Sequence, residues 1–516
     1  MTSLWLDTVS RDPYPPLDRD LDVDVAVVGG GIAGVTAARL LGRAGLRVAL
    51  VEARRLGDGD TGHTTAHLTQ LLDAGYATLR SSFGRSGAAL AAVSQRAAIE
   101  RIADLVLEDD LACGFARVAA YRHAETEEEL GPLEVELEAM QEAGLDATLV
   151  DRAPLPYPTR AAIRVEDQAR FHPLQYVLGL APRFVAAGGL VFEGTRALRI
   201  SEGQRCAVET SRGTIRCDHV VVMTHAPVSS RFALHSKMAP YRTYALAAEV
   251  PSLPPDALYY DSRDPYHYTR LQETREGTLL VVGGEDHKAG HEEHTSRHHE
   301  ALERYVHTRW RGARVAARWS GLVWEPADGL AFIGRSSGSE RVWVGTGFSG
   351  TGMTFGTLAA MIVTDGVLGL ENRFAELYDA TRVKPFAQAR RYAAENADVA
   401  ARLAKDRVSR GEVESVAEVP PGEGRLVRVH GKMVAAYRSE AGELTAVSAR
   451  CTHAGCHVQW NEAEACWDCP CHGSRFTAMG AVLAGPAVEA LAPVEGLEER
   501  EPGEGTAQED EDRPVP

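Results

Sequence analysis

The sequence predicts a chain in two parts, an α/β body that begins with a βαβ unit and a small all-β domain that follows it. Three observations support this fold class. Residues 24–52, DVAVVGGGIAGVTAARLLGRAGLRVALVE, combine an apolar strand, a glycine turn, a helix and a second strand. Helical and strand patterns then continue to about residue 370. From residue 411, short strand patterns alternate with glycine-bearing turns.

The individual elements follow in chain order. Helical patterns dominate between about 75 and 155, whereas RCDHVVVMTHAP (216–227) and GTLLVVGGED (277–286) have the composition of buried strands. A helical pattern follows RVWVGTGFSGTG and runs through Leu370. A charged helical stretch then leads to the small domain, where GRLVRVHGKMVAAYRS and GELTAVSAR predict strands. The acidic end, rich in Pro and Gly, predicts disorder.

Composition limits the classes of function. With 516 residues, 44% hydrophobic and 25% charged, the chain has the balance of a soluble globular protein with about three domains. A net charge of −17 argues against a nucleic-acid partner. No apolar stretch approaches the roughly 20 residues of a membrane span, and MTSLWLDTVSRDPYPP lacks the features of a signal peptide. We therefore expect a cytoplasmic protein without a membrane partner.

The glycine turn predicts a dinucleotide site of the Rossmann type. Gly29, Gly31 and Gly34 form GxGxxG between a strand and a helix, which permits a tight turn and a close approach of the backbone to a pyrophosphate. Glu52 ends the second strand, where a carboxylate can accept hydrogen bonds from ribose hydroxyls. An acid at this position favours FAD or NAD over NADP. The structural alternative is a glycine turn that merely precedes a helix.

A second cluster of chemistry lies near the other end of the chain. Residues 449–476, ARCTHAGCHVQWNEAEACWDCPCHGSRF, hold five of the eight cysteines. In a reducing compartment, such clusters are metal ligands or redox groups more often than disulfide frameworks. A zinc site would use Cys466 and Cys469, but it leaves Cys451 and His453 without a purpose. The remaining cysteines have the character of ordinary buried residues; they are Cys113, Cys206 and Cys217.

Separate segments between about 20 and 385 resemble the FAD-dependent oxidoreductases of the D-amino-acid oxidase and glycine oxidase superfamily. The matching segments are DGDTGHTTAHLT (58–69), THAP (224–227), EPADGLAFIG (325–334) and VGTGFSGTGMTFG (344–356). The resemblance implies that FAD is the cofactor and that Gly347 to Gly352 approach its pyrimidine end. His63 lies where some relatives attach flavin covalently, but a noncovalent role on the phosphate side is favoured. The further cofactor-binding residues implied are Thr64, Thr65, Thr224, Asp328, Gly350, Thr351 and Met353.

Four candidates for the catalytic site lie in YYDSRDPYHYTR: Tyr260, His267, Tyr268 and Arg270. The resemblance places this stretch among substrate-facing strands, where an orienting group and a charge partner for a carboxylate are needed. Each residue has an equally simple structural role as its alternative. A histidine-rich stretch, EDHKAGHEEHTSRHHE (285–300), has spacing that could face a metal, but a solvated loop is the simpler interpretation.

The C-terminal pattern resembles the Rieske iron–sulfur domain over about 411–495. Its pairs are Cys451-x-His453 and, after fifteen residues, Cys469-x-x-His472. The resemblance implies a [2Fe–2S] cluster with two cysteines on one iron and two histidines on the other. It also implies a disulfide between Cys456 and Cys471, and it leaves Cys466 without a role in the cluster.

Together these patterns predict an FAD-dependent oxidoreductase over 1–385, with FAD-binding segments at about 20–75, 155–235 and 325–370 and substrate-binding segments at about 76–154 and 236–324. A helical linker (386–410), the Rieske domain (411–495) and a disordered acidic tail (496–516) follow. The predicted reaction is oxidation of an amine or amino acid, with electrons passing from FAD through the cluster to an external acceptor or redox partner. The alternative is a flavin and iron–sulfur protein that relays electrons to a partner enzyme. A Rieske oxygenase is disfavoured because no iron triad follows the cluster.

Overall fold

The computed structural model describes residues 3–226, 234–292, 294–383 and 411–495. The chain divides into two compact units, Met1–Ala397 and Asp398–Pro516, and each is described by itself. The predicted linker at 386–410 and the predicted acidic tail at 496–516 lie outside the described residues.

The α-helices of the described segments all belong to the first unit. They are α1 (Leu4–Asp7), α2 (Ile32–Arg43), α3 (Tyr76–Glu108), α4 (Leu130–Glu142), α5 (Pro173–Ala186), α6 (Ser296–Arg309), α7 (Gly352–Val367) and α8 (Ala375–Tyr378). None of these described helices combines the length and the apolar character that a membrane span requires.

The strands of the first unit form three sheets. They are β1 (Leu21–Asp22), β2 (Val25–Val28), β3 (Val48–Val51), β4 (His67–Leu68), β5 (Ala116–Ala124), β6 (Ala147–Val150), β7 (Ala161–Arg170), β8 (Leu190–Phe192), β9 (Ala197–Glu202), β10 (Cys206–Thr210), β11 (Thr214–Cys217), β12 (His219–Val222), β13 (Met238–Glu249), β14 (Ala257–Asp261), β15 (His267–Thr274), β16 (Gly277–Lys288), β17 (Arg314–Pro326), β18 (Phe332–Arg335) and β19 (Val342–Thr346).

The βαβ start builds the six-stranded sheet, whose order is β18-β19-β12-β2-β3-β8. Its strands are parallel except at β18, which is antiparallel to β19. Every residue of β2 and β3 is buried, as expected for a parallel sheet that is covered on both faces. Helices α2 and α7 pack closely at Gly356, where an added Cβ would lie 3.2 Å from Ile32. This sheet confirms the predicted α/β class.

The nine-stranded sheet carries the order β17-β13-β16-β15-β14-β5-β7-β4, with β6 also paired to β7. Strand β5 lies in the segment where the sequence analysis found mainly helical patterns, so that interpretation was incomplete. Its sequence, ARVAAYRHA, mixes small and polar residues, and its burial does not alternate cleanly. Antiparallel pairing with β7 and parallel pairing with β14, far along the chain, define this strand. Local periodicity gives no access to such a contact.

The strand predicted at 216–227 is divided between two sheets. Strand β11 joins the four-stranded sheet β1-β11-β10-β9, whereas β12 joins the six-stranded sheet. The break falls at Asp218, where the backbone amides of Asp218 and His219 both donate to the Asp24 carbonyl. The end of β12 then brings Thr224 beside the glycine turn, where a Cβ on Gly29 would lie 3.3 Å from the Thr224 amide.

The described part of the second unit is built from strands, which confirms the predicted small all-β domain. The strands are β20 (Gly424–Val429), β21 (Lys432–Arg438), β22 (Leu444–Ser448), β23 (Gln459–Asn461), β24 (Cys466–Asp468), β25 (Arg475–Thr477) and β26 (Val482–Ala484). They form the sheets β20-β21-β22 and β23-β24-β25-β26. The core between them includes Trp460, Trp467 and Phe476 together with the cysteines of the cluster segment.

Candidate functional site

The glycine turn between β2 and α2 has the geometry of a phosphate cradle. Gly29 has a φ of 109°, which favours glycine, and a Cβ there would lie 2.5 Å from the Met223 carbonyl oxygen. A Cβ on Gly34 would lie 1.8 Å from the Gly29 carbonyl oxygen, so α2 can pack here only without a side chain. Gly31 caps α2 without a side-chain hydrogen bond. The amino end of the helix therefore stays available to an anion.

Glu52 follows β3, and its side chain holds the glycine turn through hydrogen bonds. Its carboxylate accepts hydrogen bonds from the Gly30 amide at 2.7 Å and from the Arg54 amide at 2.9 Å. Burial raises the pKa of Glu52, and these two amides act in the opposite direction by favouring its charged form. Each carboxylate oxygen has a second lone pair, so the group can still accept a ribose hydroxyl.

The segment at 58–69 connects the two large sheets. His63 ends a short 3₁₀ helix, and its Nδ1 lies 3.0 Å from the Gly59 carbonyl. The Thr64 carbonyl accepts from the indole nitrogen of Trp5 at 2.6 Å, and the Thr65 carbonyl accepts from Arg270 at 2.6 Å. These contacts fix the backbone of the three residues that the sequence analysis assigned to FAD.

The closing segment brings a second helix start into the same region. Gly347 has a φ of 71°, and a Cβ there would lie 2.8 Å from both Met238 and Pro326. The Gly350 amide donates to the Asp73 carboxylate at 2.5 Å. Thr351 precedes α7, which begins at Gly352, and it caps the helix without a side-chain hydrogen bond. Met353, in the first turn of α7, is buried.

Asp328 and Thr224 have partners within the protein. Arg382 holds Asp328 through two hydrogen bonds, both of 2.8 Å, and the Asp328 side chain has no exposed surface. Thr224 donates its hydroxyl to the Ala226 carbonyl at 2.7 Å. The ion pair gives Asp328 a structural function, and its contact with FAD stays a prediction.

Three of the four catalytic candidates project from one face of the nine-stranded sheet, which we call the tyrosine face: Tyr260, Tyr268 and, two residues further along β15, Arg270. Tyr260 on β14 lies directly opposite Tyr268 on β15, so both side chains project to the same side. The Tyr268 hydroxyl lies 2.7 Å from the Thr243 hydroxyl. Gly283, on β16, lies opposite Tyr268, and a Cβ on Gly283 would lie 2.3 Å from the Tyr268 ring. Glycine thus makes room for this tyrosine.

His267 lies apart from these tyrosines. Strand alternation turns it to the opposite face, where its Nδ1 lies 2.9 Å from Asp261 and its Nε2 lies 3.1 Å from Glu285. The ring stacks on Tyr305 at a centroid distance of 3.9 Å. Burial alone would lower the pKa of His267, but the two carboxylates outweigh it and raise the pKa. These contacts support a structural role for His267, the alternative that the sequence left open.

Arg270, on β15, is fully buried. Its guanidinium donates to the carbonyls of Thr65 at 2.6 Å and Phe171 at 3.1 Å, and it lies 5.1 Å from the centre of the Trp5 ring. Burial lowers its pKa to about 9. The side chain therefore ties β15 to the 58–69 segment through Nε and Nη2, whereas its Nη1 atom is buried and has no hydrogen-bond partner.

The structure adds residues to this region that the sequence analysis missed. His67, on β4, is only 8% exposed, and its ring lies 5.4 Å from Tyr260 and 5.6 Å from Tyr268. Burial and the nearby Arg270 lower the pKa of His67 to about 3, so its imidazole is neutral. The signal was present in the sequence, because His67 stands two residues after Thr65 in a segment already assigned to the cofactor. Three carboxylates also belong here: Asp73, Asp286 and Glu325.

In the second unit, the two cysteine–histidine pairs occupy two loops of the same form. The Gly455 amide donates to the Cys451 carbonyl at 2.9 Å, and the Gly473 amide donates to the Cys469 carbonyl at 3.0 Å. Both glycines have positive φ, 81° and 62°. One loop follows β22 and the other follows β24. Each turn presents a cysteine and, within three residues, a histidine.

These side chains meet in a way that suits a metal cluster. The rings of His453 and His472 lie 4.9 Å apart and are nearly perpendicular. Burial lowers the pKa of both, that of His472 to about 4, so both imidazoles are neutral as metal ligation requires. A hydrogen bond from Cys469 lowers the pKa of Cys451 to about 7. Two buried thiols and two neutral imidazoles are a donor set that fits a [2Fe–2S] cluster.

The other cysteines of this segment have different partners. Cys456 and Cys471 form a disulfide that joins the two loops, as the resemblance implied. Their sulfurs and that of Cys469 lie within 4.8 Å of one another, but the disulfide makes two of the three unsuitable as metal ligands. The Cys466 sulfur lies 3.2 Å from Arg475 and 3.5 Å from Asp468. A guanidinium beside Cys466 disfavours the zinc alternative.

Comparison with known families agrees with both halves of the structure. The model of the family "FAD dependent oxidoreductase" matches residues 24–366. The model of the family "Rieske [2Fe-2S] domain" matches residues 409–495. Members of the first family bind FAD, and the second domain binds a [2Fe–2S] cluster.

Two similar proteins cover most of the chain. The Rieske 2Fe-2S iron-sulfur protein YhfW of Bacillus subtilis (strain 168) is 33% identical over 494 residues, which is 95% of this chain and 97% of that protein. Gamma-glutamylputrescine oxidoreductase of Escherichia coli (strain K12) is 24% identical over 384 residues, which is 70% of this chain and 87% of that protein.

Solved structures show the same fold for the first unit. Glycine oxidase from Geobacillus kaustophilus has a TM-score of 0.60 at 19% identity, over 70% of this chain and 99% of that chain. L-Amino acid deaminase from Proteus myxofaciens has a TM-score of 0.58 at 14% identity, over 74% of this chain and 98% of that chain. The chain therefore belongs to the family of FAD-dependent oxidoreductases and carries a Rieske [2Fe–2S] domain.

Proposed function

We propose that the protein oxidises the carbon–nitrogen bond of an amine or amino acid at FAD and passes the electrons through the Rieske cluster to an external acceptor. One observation carries this proposal. A single chain combines a glycine cradle for FAD with a pair of loops that present two cysteines and two histidines. One centre handles electrons in pairs and the other handles them singly, so together they can link a two-electron substrate to a one-electron acceptor.

The residues of the first unit serve binding and orientation. The glycine turn and Glu52 hold the dinucleotide portion of FAD, which, when bound, accepts a hydride from the carbon next to nitrogen. Tyr260 and Tyr268 offer hydroxyl oxygens that can accept N–H hydrogen bonds and so orient the amine, and burial raises the pKa of both, so they stay protonated. Loss of the hydride from the neutral amine leaves an iminium cation, which water hydrolyses to a carbonyl compound and a protonated amine or ammonia. The amine must reach the site unprotonated, because only its lone pair can form the carbon–nitrogen double bond.

The residues of the second unit determine the potential of the cluster. Neutral imidazoles in place of two thiolates leave the oxidised cluster without net charge, which places Rieske potentials at roughly −150 to +300 mV. Such a potential suits an electron acceptor for a reduced flavin. The acceptor beyond the cluster is a redox partner outside this chain.

The names of similar proteins support the substrate class. Gamma-glutamylputrescine oxidoreductase, glycine oxidase and L-amino acid deaminase name an amine or an amino acid as the compound on which they act. We carry over only the shared chemistry, which is a nitrogen next to an oxidisable carbon.

Anaerobic mixing with a panel of amines, amino acids and pyridine nucleotides tests this function. We expect an amine or amino acid to bleach the flavin absorbance within seconds, because hydride transfer needs no oxygen. Bleaching by NAD(P)H alone would contradict the proposal and would favour the alternative, an electron-transfer protein that serves a partner enzyme.

A further inference from the structure

A β-bulge turns Asp286 towards the tyrosine face. The register between β13 and β16 shifts at this point, and Glu285 adopts a φ of 59°. Glu285 reaches His267 on one face, whereas Asp286 receives a hydrogen bond from Thr243 on the other. The same Thr243 hydroxyl lies 2.7 Å from that of Tyr268. Bulges beside active sites commonly re-aim one side chain in this way.

Three carboxylates share the space in front of this bulge. The Oδ1 atom of Asp286 is shielded from solvent and has no hydrogen-bond partner. Burial and, after it, the charges of Glu325 and Asp73 raise the pKa of Asp286 to about 7. Burial also raises the pKa of Asp73 to about 6, although this side chain has exposed surface. A side chain that lines a cleft combines solvent-exposed surface with many neighbouring protein atoms, as Asp73 does.

His67 gives a second and independent indication of a ligand. Its Nδ1 lies 3.0 Å from the Thr65 hydroxyl, but its Nε2 is buried and has no hydrogen-bond partner. The His67 ring lies beside both Tyr260 and Tyr268, and the residue is only 8% exposed. A buried polar atom without a partner is costly, by about 1–3 kcal/mol, unless a ligand completes it.

The charges of this region favour one class of ligand over another. Arg270 donates to the carbonyls of Thr65 and Phe171, its Nη1 atom is buried without a hydrogen-bond partner, and its charge acts on His67 and Tyr260. The positive charge of Arg122 acts on Asp73, and Arg122 also lies 3.8 Å from Glu136. The charges that act on Asp286 itself are those of Glu325, Asp73 and His267, so a carboxylate in front of Asp286 would have two acids and one imidazole as its charged neighbours. Three carboxylates gathered there attract a cation and repel an anion.

We propose that the tyrosine face binds an amine that carries a second ammonium group and no carboxylate at that end. This proposal rests on the proposed function and names its substrate class as diamines and related cationic amines. The amine to be oxidised contacts His67 Nε2 and the two tyrosines. The distal ammonium lies against Asp286, with Glu325 and Asp73 nearby. The site selects by charge, because an amino acid of equal length would place its carboxylate among these acids.

Equilibrium binding to the FAD-loaded full-length protein tests this selection. The probes are 1,4-diaminobutane, 1-aminobutane and 4-aminobutanoate, which have equal chain length and differ at one end. Anaerobic calorimetry and the shift of the flavin spectrum both report binding, whether or not turnover follows. We expect the diamine to bind at least about tenfold more tightly than the monoamine, and 4-aminobutanoate to bind more weakly than both, as the loss of a charge-assisted hydrogen bond predicts.

Asp286→Asn isolates the charge, because it keeps the shape of the side chain. In this variant, the affinity for the diamine should fall about tenfold, towards that for the monoamine, whereas monoamine binding should change little. Asp146→Asn is the matched control, since Asp146 is exposed and distant in sequence from the tyrosine face. If Asp286→Asn loses FAD or stability, Glu325→Gln takes its place with the same expected result.

Two results would overturn the proposal. One is tighter or equal binding of 4-aminobutanoate, and the other is a diamine affinity that neither charge variant alters. Either result leaves the proposed function intact if an amino acid bleaches the flavin. Conversely, bleaching by NAD(P)H alone would contradict the proposed function. The binding experiment would still show whether the tyrosine face prefers amines that carry a second positive charge.

Discussion

Glu52 has two functions in this structure, and both depend on its carboxylate. It accepts hydrogen bonds from the amides of Gly30 and Arg54, and it is placed to accept a ribose hydroxyl. Removing it leaves the Gly30 amide without its partner at the centre of the phosphate cradle. The residue thus links the glycine turn to the dinucleotide.

We predict that Glu52→Ala weakens FAD retention by at least about tenfold, because one charge-assisted hydrogen bond and the support of the turn are both lost. Flavin content after gel filtration and a fluorescence titration with FAD measure the effect. Glu52→Gln keeps an acceptor oxygen, so its FAD retention should lie between those of Glu52→Ala and the unmodified protein. Iron and acid-labile sulfide should stay unchanged, and undiminished flavin content in Glu52→Ala would count against the assignment.

The acidity of Asp286 leads to a prediction about pH. The titratable groups that face it are Glu325, Asp73, His267, Tyr266 and Tyr268. Burial raises the pKa of Asp286 to about 7, so the group is protonated below that pH and ionised above it. Only the ionised form attracts an ammonium group. We therefore expect the affinity for 1,4-diaminobutane to rise between pH 5.5 and 8, by up to about tenfold per pH unit.

Titration calorimetry in buffers of different ionisation enthalpy measures both the affinity and the protons released on binding. Asp286→Asn should reduce the pH dependence to that of 1-aminobutane, which reports the loss of a proton from the reacting amine alone. A diamine affinity that falls as pH rises over this range would contradict the assignment, since the distal ammonium group stays charged.

At the scale of elements, local motifs were predictable and distant pairings were not. GxGxxG and the two cysteine–histidine pairs are contiguous, so their turns follow from a few neighbouring residues. Strand β5 was missed because its partner β14 lies more than a hundred residues away. Asp286 was missed for a similar reason: its direction depends on the left-handed backbone of Glu285 in a bulge, which strand alternation alone does not reveal.

The catalytic candidates illustrate the same limit. Tyr260, Tyr268 and His267 were grouped because the family resemblance places the whole stretch among substrate-facing strands. Alternation along β15 puts His267 and Tyr268 on opposite faces, and the pairing of β14 with β15 puts Tyr260 beside Tyr268. The ion pairs with Asp261 and Glu285 explain why His267 is buried on the other side.

The two loops of the second unit lead to a prediction about the cluster potential. Ser474 donates a hydrogen bond towards Cys451, and Phe476 is buried beside the same segment. Hydrogen bonds to ligand sulfurs stabilise the more negative reduced cluster. We expect Phe476→Tyr to raise the midpoint potential and Ser474→Ala to lower it. A hydrogen bond of about 1 kcal/mol corresponds to roughly 40 mV for one electron.

Redox titration followed by electron paramagnetic resonance gives both midpoints, and Phe476→Leu is the control for a change in packing without a hydroxyl group. Unchanged potentials in Phe476→Tyr and Ser474→Ala would show that these hydroxyls do not reach the sulfurs. The FAD potential should stay constant in all three variants.

The whole molecule consists of two compact units, each with the residues for one redox centre. Separate cores support separate folding, so the loss of one centre should spare the other. This independence makes the central claim testable by removing the cluster alone. Cys469 is the residue to change, because it is buried between Cys451 and the disulfide. Cys466, held by Arg475 in the same segment, provides a matched control.

Stopped-flow absorbance of Cys469→Ser, with the substrate found in the panel, tests most directly whether electrons leave FAD through the cluster. We predict that the variant lacks the cluster, keeps its FAD spectrum, and reduces its flavin at the rate of the unmodified protein and of Cys466→Ser. Anaerobic turnover with a one-electron acceptor should then slow by at least about a hundredfold, equivalent to roughly 2.7 kcal/mol in activation free energy. Turnover at the unmodified rate in a protein that contains FAD but no iron would contradict the account.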